Sequence, residues 1–226
     1  MRLAPEGLRE WGSATIVTAL AIAPLWVWCP VIWLNWVVTG VVGALWVFVV
    51  QFFRDPTRHP PKTIRPGDFL SPADGVVSAV LRVDSHEAVE GRALIIRVFL
   101  NVFNVHVNRV PCDGQVLDTT HREGLYLDAR KSESAMVNES MLIRMRRQDD
   151  LPVGVRQVAG AVARRIVCPF DGGETVTRGH RMGMIKFGST TELILPEGEQ
   201  VEVSVEVGDA VTGGRTILAH VPLQSP

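Results

Sequence analysis

The sequence predicts a mainly β (α+β) chain, a flattened β-sandwich or barrel-sandwich domain carried behind an N-terminal transmembrane helical hairpin. Three observations support this. Residues 14–53 are essentially uncharged and strongly apolar. Beyond them, short β-branched runs are punctuated by Gly, Pro, Asp and Asn turns. Val201 to Val207 then alternates apolar and polar residues at period two, the mark of a strand with one buried face. The boundaries expected are a membrane anchor at 1–53, a basic juxtamembrane linker at 54–66 and a β-rich domain at 67–226.

The anchor has two apolar stretches, Val17 to Cys29 and Val31 to Phe53, interrupted by Pro24 and Pro30. The second has 23 residues, enough to span hydrocarbon at about 1.5 Å per residue. The first is shorter and spans only marginally. Trp26, Trp28, Trp33 and Trp36 gather around Pro30, with Trp11 and Phe52-Phe53 at the outer ends, as aromatic belts at two interfaces would be. Arg2 and Arg9 precede the hairpin, and Arg54, Arg58, Lys62 and Arg65 follow it. Positive charge on both sides places both ends, and the large domain, on the cytoplasmic face of the cell (inner) membrane. Ala21-Ile22-Ala23 has the form of a signal-peptide cleavage site, but Pro24 follows and the apolar run continues. The hairpin is preferred to that reading and to a single span with the domain outside.

The 226 residues carry a net charge of −1, so there is no basic footprint for nucleic acid. Cys29, Cys112 and Cys168 have neither zinc-site nor disulfide spacing and are expected as free thiols, with no metal site. The roughly 170 residues after the anchor are enough for a hydrophobic core. The linker Arg58-His59-Pro60-Pro61-Lys62 suits anionic headgroups.

Leu70-Ser71-Pro72-Ala73-Asp74-Gly75 reads as a tight turn into a strand. Asp74 is a turn residue by default; its functional alternative is to orient a histidine or polarise a hydroxyl. Leu94 to Leu100 is β-rich and leads into Asn101-Val102-Phe103-Asn104-Val105-His106-Val107-Asn108-Arg109-Val110-Pro111. Alternation puts Val105 and Val107 on one face and Asn104, His106 and Asn108 on the other. His106 is therefore either surface decoration or a rigidly held general base. Residues 121–140 read as a polar lid loop. Met141 to Met145 and Val153 to Val167 are strand-like. Glu174 to Gly183 reads as a short helix or irregular approach, made basic by Arg178, His180, Arg181 and Lys186, a solvated face or a seat for a phosphate or carboxylate.

That approach leads to Gly188-Ser189-Thr190. Such a tripeptide is usually a turn. It is also the least hindered place for a hydroxyl to attack its own peptide bond, since Gly188 has no side chain in the way. Ser189 Oγ would then be the nucleophile, given a nearby base. The Val-x-Val-Gly-Asp-x-Val-x-x-Gly pattern from Val205 to Gly214 resembles the flattened sandwiches of lipoyl and biotinyl carriers. The carriers' modified lysine is missing, because Lys62, Lys131 and Lys186 are the only lysines and none is at a hairpin tip.

Four motifs, Phe-Phe-Arg-Asp-Pro, Ser-Pro-Ala-Asp-Gly, Phe-Leu-Asn-Val-Phe-Asn-Val-His-Val-Asn-Arg-Val-Pro and Gly-Met-Ile-Lys-Phe-Gly-Ser-Thr, occur in this order over nearly the whole chain. Together they resemble phosphatidylserine decarboxylase proenzymes, in the short bacterial form that also resembles archaetidylserine decarboxylases. The resemblance implies autocatalytic serinolysis between Gly188 and Ser189. Residues 1–188 would form a β chain and 189–226 an α chain carrying a covalent pyruvoyl group derived from Ser189. It implies a phosphatidylserine substrate, phosphatidylethanolamine and CO2 as products, and an αβ heterodimer able to dimerise further. Asp74 and His106 match motif positions that serve cleavage or decarboxylation. Longer members carry a second histidine where this chain has Arg109, so their division of labour does not transfer. Phe187 also replaces the commoner Leu of the cleavage tetrapeptide. Diacyl and ether lipids are not distinguished. Two rivals stay open: an N-terminal-nucleophile hydrolase that keeps a free Ser189 amine, and a non-enzymatic membrane-anchored β-sandwich adaptor that stays whole.

Overall fold

The computed structural model describes residues 2–128, 133–161, 165–186, 189–198 and 200–223. The chain forms two compact units, Met1–Thr57 and Arg58–Pro226. In the first, β1 (Arg2–Leu3) pairs antiparallel with β2 (Arg54–Asp55), and between them run helices α1 (Leu8–Trp28) and α2 (Ile32–Phe52). Both helices are long and apolar enough to cross a membrane. No residue of α1 is buried, and only Asn35 and Phe52 are buried in α2. Such outward apolar surface is what a lipid solvent accepts and water does not.

Polar side chains inside this unit are spent locally, as hydrocarbon requires. Trp26 Nε1 donates to Thr39 Oγ1 at 2.9 Å, and Trp46 Nε1 donates to Thr15 Oγ1 at 2.9 Å, tying one helix to the other. Asn35 Nδ2 closes the turn by donating to the Cys29 carbonyl at 3.1 Å. The first helix is longer than its apolar stretch: it starts at Leu8, takes in Arg9 and Glu10, and runs through Pro24. Charged residues in a first turn reach interfacial water, so apolar content alone underestimates the length.

The second unit is mainly β, a curled half-barrel. Its strands are β3 (Asp68–Leu70), β4 (Gly75–His86), β5 (Gly91–Leu100), β6 (Val107–Arg109) and β7 (Gly114–Arg122). After the short α3 (Ser134–Val137) come β8 (Ser140–Arg147), β9 (Pro152–Val158), β10 (Arg165–Val167), β11 (Thr175–Val176) and β12 (Arg181–Lys186). The chain closes with β13 (Ser189–Pro196), β14 (Glu202–Val203), β15 (Ala210–Val211) and β16 (Ile217–His220). Eight strands form one sheet in the order β11-β7-β8-β9-β13-β5-β4-β15. Two three-stranded sheets, β10-β12-β6 and β14-β16-β3, accompany it.

Alternation explains the core. Leu94, Ile96, Val98 and Leu100 of β5 join Leu193 and Leu195 of β13 in the main cluster. Ala93, Ile95 and Ile194 point the other way, into a second cluster with Ala88, Val89 and Leu142. Each fully buried aliphatic side chain contributes about 1.5–3 kcal/mol, so a one-residue slip of β5 or β13 exchanges two filled faces and is strongly disfavoured.

Three segments differ from their sequence reading. The segment read as a short helix or an irregular approach, Glu174 to Gly183, is irregular only between β11 and β12; from Arg181 it is strand β12, because β6 and β10 pair with it on its two sides. Residues 121 and 122 belong to β7, and Asn138 Nδ2 clasps the Leu127 and Ala159 carbonyls at 2.9 and 2.8 Å, so the described ends of the expected lid are tied down. The strand expected from Val201 to Val207 is only Glu202–Val203; the Ser204 amide still bonds Leu218 of β16 in the same register, and Glu206 then enters the Asp209 turn.

Asp68 joins the end of the linker to the last strand. Its carboxylate accepts from the Arg65 amide at 2.7 Å, from His220 Nδ1 at 2.7 Å and from Arg65 Nε at 3.3 Å. Burial alone would raise its pKa, but these hydrogen bonds outweigh burial and hold it below the usual 3.8. A depressed carboxylate pKa stabilises the fold above the unfolded value, and this is lost as pH falls through the folded value. Asp68→Asn is expected to cost about 1–3 kcal/mol near neutrality. Denaturant unfolding of both proteins from pH 7 to pH 2 checks this: the gap is full above about pH 4 and closes below it.

Candidate active site

Three chain segments distant in sequence meet at β6. The Ser71-Pro72-Ala73-Asp74 turn is held by Ser71 Oγ donating to the Ala73 carbonyl at 2.7 Å. It docks on β6 through the Arg109 amide, which donates to the Pro72 carbonyl at 2.8 Å. On its other side β6 pairs with β12, with Met184 opposite Val107, and the Ile185 amide donates to the His106 carbonyl at 3.3 Å. His106 thus lies against the strand that leads directly to the predicted cleavage site.

Ser189 opens β13, opposite Leu100 of β5. It is 0% exposed, and its Oγ makes no hydrogen bond among the described residues. A buried hydroxyl without a partner costs about 1–3 kcal/mol, so its retention calls for an explanation. Gly188, the other half of the predicted scissile bond, lies outside the described residues.

His106 is also 0% exposed, which removes the surface reading. Its Nδ1 lies 3.0 Å from the Asn104 carbonyl. A carbonyl only accepts, so Nδ1 donates, and in the neutral ring the lone pair is then on Nε2. Asp74, a turn residue whose functional alternative is to orient a histidine, has a carboxylate that accepts from Arg58 Nη2 at 2.7 Å and from the Gly213 amide at 2.8 Å. These bonds join residues 58, 74 and 213, which lie on both sides of the predicted cut.

Of the four cations on the approach, Lys186 at the end of β12 is buried and His180 is exposed. Arg178 faces Asp113 at 3.6 Å. Arg109 is buried, with Nη1 donating to the Gly179 carbonyl at 3.3 Å. A cleft of about 590 Å³ lined by Ile64, Arg65, Arg147 and Arg178 includes neither Ser189 nor His106. Among the described residues no cluster of His, Cys, Asp and Glu is suited to hold a metal ion.

Sequence reading singled out neither Gln157 nor Glu192. Gln157 of β9 is opposite Thr191 and reaches Asn108. Glu192, 0% exposed, accepts from Arg97 Nε of β5 and from Arg156 Nε of β9, both at 2.7 Å. Glutamate or glutamine in a strand is usually on a solvated face, so only the register reveals these two.

A family model described as phosphatidylserine decarboxylase matches residues 45–219. A phosphatidylserine decarboxylase proenzyme of Desulfotalea psychrophila is 41% identical over 219 residues, which are 97% of this chain and 96% of the relative. One from Rhodopirellula baltica is 39% identical over 217 residues, 95% of this chain and 86% of the relative. One from Carboxydothermus hydrogenoformans is 43% identical over 181 residues, 80% of this chain and 83% of the relative.

The Arg97–Glu192–Arg156 triad generates a stability prediction. Removing its carboxylate leaves two largely buried guanidinium groups facing each other across one strand. Glu192→Gln is expected to cost about 3 kcal/mol, lowering the thermal midpoint by roughly 2–4 °C per kcal/mol. Calorimetry of the detergent-solubilised chain measures this, and an unchanged midpoint would show that the triad contributes nothing to stability.

Proposed function

The chain belongs to the phosphatidylserine decarboxylase family, and we propose that it becomes active by cutting itself between Gly188 and Ser189. The observation that carries this reading is Ser189 Oγ, buried at the head of β13 and unspent in hydrogen bonding. The chain is a decarboxylase. Its reaction converts phosphatidylserine and a proton to phosphatidylethanolamine and CO2.

In maturation, Ser189 Oγ attacks the Gly188 carbonyl carbon while His106 Nε2 takes the hydroxyl proton. The C–N bond breaks, the proton passes to the Ser189 nitrogen, and an ester remains. Loss of the Ser189 α-proton then expels Gly188 as a free carboxylate and leaves dehydroalanine. Addition of water and loss of ammonia complete the conversion to a pyruvoyl group. Once formed, this group supplies an electrophilic ketone that engages the substrate amine and draws off the electron pair released with CO2.

The remaining chemistry falls to side chains. His106 Nε2 holds the proton to be returned to the substrate α-carbon. Its tautomer is kept by the Asn104 carbonyl at 3.0 Å. Asp74, held between Arg58 and the Gly213 amide, keeps the Ser71–Asp74 turn in place against the last part of the chain. After the cut, the 189–226 piece stays attached through strand pairing: β13 lies between β5 and β9, β15 pairs with β4, and β16 pairs with β3. The two chains therefore behave as one αβ unit.

The substrate is a lipid, and two helices long and apolar enough to cross a bilayer precede the catalytic unit. A membrane anchor with the catalytic unit on the cytoplasmic face is the arrangement proposed. Because Ser189 is fully buried in the uncut chain, access of a lipid headgroup to this position requires a rearrangement that accompanies cleavage.

Two variants test this reading by intact mass and by phosphatidylserine turnover in mixed micelles. The wild-type chain should yield two pieces, the smaller starting at residue 189 and lighter by one ammonia than a serine-started peptide. Ser189→Ala should give one uncut, inactive chain; an uncut but active variant would sink the proposal. His106→Ala should slow cleavage or turnover by about 10²–10⁴-fold. A smaller piece with an ordinary N-terminal serine would favour the hydrolase instead.

A further inference from the structure

We infer that Asn108, Gln157 and Thr191 form a positioning clamp that sets Ser189 against His106 for self-cleavage. This inference rests on the self-cleavage reading above and adds three residues to it.

The need for a clamp follows from topology. His106 leads into β6, which belongs to the three-stranded β10-β12-β6 sheet. Ser189 opens β13, within the eight-stranded sheet. No backbone ladder joins β6 to β13, so the ordinary device that fixes the register of neighbouring strands does not operate between the two groups that must react. Side chains supply the connection. Asn108 Nδ2 donates to Thr191 Oγ1 at 3.1 Å and to the Pro72 carbonyl at 3.3 Å. Gln157 Nε2 donates to Asn108 Oδ1 at 2.7 Å. Asn108, Gln157 and Thr191 are all 0% exposed.

The spacing places this bond where it matters. Thr191 is two residues after Ser189, and Asn108 is two residues after His106. At period two, Ser189 shares the Thr191 face of β13, while His106 immediately precedes β6, its carbonyl held by the Ile185 amide of β12 at 3.3 Å. Joining Asn108 to Thr191 therefore links the two reacting segments two residues away from the chemistry on each. The same amide holds the Pro72 carbonyl, so the Asp74 turn is part of the assembly.

Gln157 fixes which way Asn108 points. By accepting at Oδ1, Asn108 is left with Nδ2 turned toward Thr191 and Pro72. Gln157 is seated against Gly183 of β12, where an added Cβ would lie 3.3 Å from Nε2 and 2.2 Å from the Val167 carbonyl. Gly183 also has φ +147, a conformation that favours glycine. A buried polar network is a costly way to hold two sheets together, since apolar residues of the same shape would pack as well. What it provides is a fixed relation between particular atoms, and misplacement of a reacting group by about 1 Å costs on the order of 10²-fold in rate.

The test follows cleavage of the freshly synthesised full chain on denaturing gels, with thermal unfolding and a hydroxylamine chase alongside. Thr191→Val keeps the shape and removes the acceptor; Thr191→Ser keeps the hydroxyl. Thr191→Val is expected to slow cleavage by about 10–100-fold with the unfolding midpoint preserved, while Thr191→Ser restores most of the rate. Hydroxylamine is expected not to hasten the Val variant, because the impaired step is attack by Ser189 and no ester accumulates. Wild-type cleavage by Thr191→Val would overturn the clamp. So would immediate splitting of the stalled chain by hydroxylamine, which places the defect after the attack, or a Ser variant as slow as the Val variant. If Thr191→Val does not fold, Gln157→Leu is read by the same three measurements, and cleavage at the wild-type rate overturns the clamp. A wild-type chain that never cleaves removes the self-cleavage reading itself, a result distinct from these.

Discussion

Strand β13 is the constraint on which the rest depends. It is hydrogen-bonded on both sides, to β5 from Ser189 to Pro196 and to β9 from Thr190 to Ile194. Glu192 takes an arginine from each neighbour, so a one-residue slip would separate three charges as well as two packed faces. The first residue of this strand is Ser189 itself. The nucleophile proposed for self-cleavage is thus attached to a strand paired on both sides, as a reaction that demands sub-ångström alignment requires.

Around that strand the chemistry is assembled from separate pieces. β12 brings the chain up to the proposed cleavage site, β6 follows directly on His106, and the Ser71–Asp74 turn buttresses β6 from the other side. Each is tied in by a different interaction: a backbone ladder, a side-chain network and an ion pair. The strands after residue 188 are interleaved with strands before it, so the proposed cut would break one covalent bond and leave the hydrogen-bonded sheets in place.

Much of this was legible in the sequence. The apolar hairpin was visible because lipid tolerates unbroken hydrophobic runs that a soluble surface does not, although the start of α1 was missed where charged residues enter its first turn. The alternating valines made β6 visible, but the strand is only Val107–Arg109 and His106 stands just before it; the proposed nucleophile was visible from Gly188-Ser189. The resemblance to the decarboxylase family followed from four short motifs in order. Val201 to Val207 was misread in length because strict alternation describes what a strand needs, not how far a partner runs; the pairing with β16 ends at Ser204, and Glu206 belongs to the Asp209 turn.

The sequence by itself determined the local elements, the anchor and the residues with chemical potential, because turns, periodicity and hydropathy are properties of neighbours in the chain. Only the tertiary structure decided what meets what. Gln157 looks like a solvated strand residue until it is seen opposite Thr191, and Glu192 looks like a surface charge until two arginines close on it. Asp74 looks like a local turn residue until Arg58 and the Gly213 amide are found on its carboxylate. The physical reason is the same in each case: these contacts join residues from 16 to 139 positions apart. No local pattern encodes the register that brings them together.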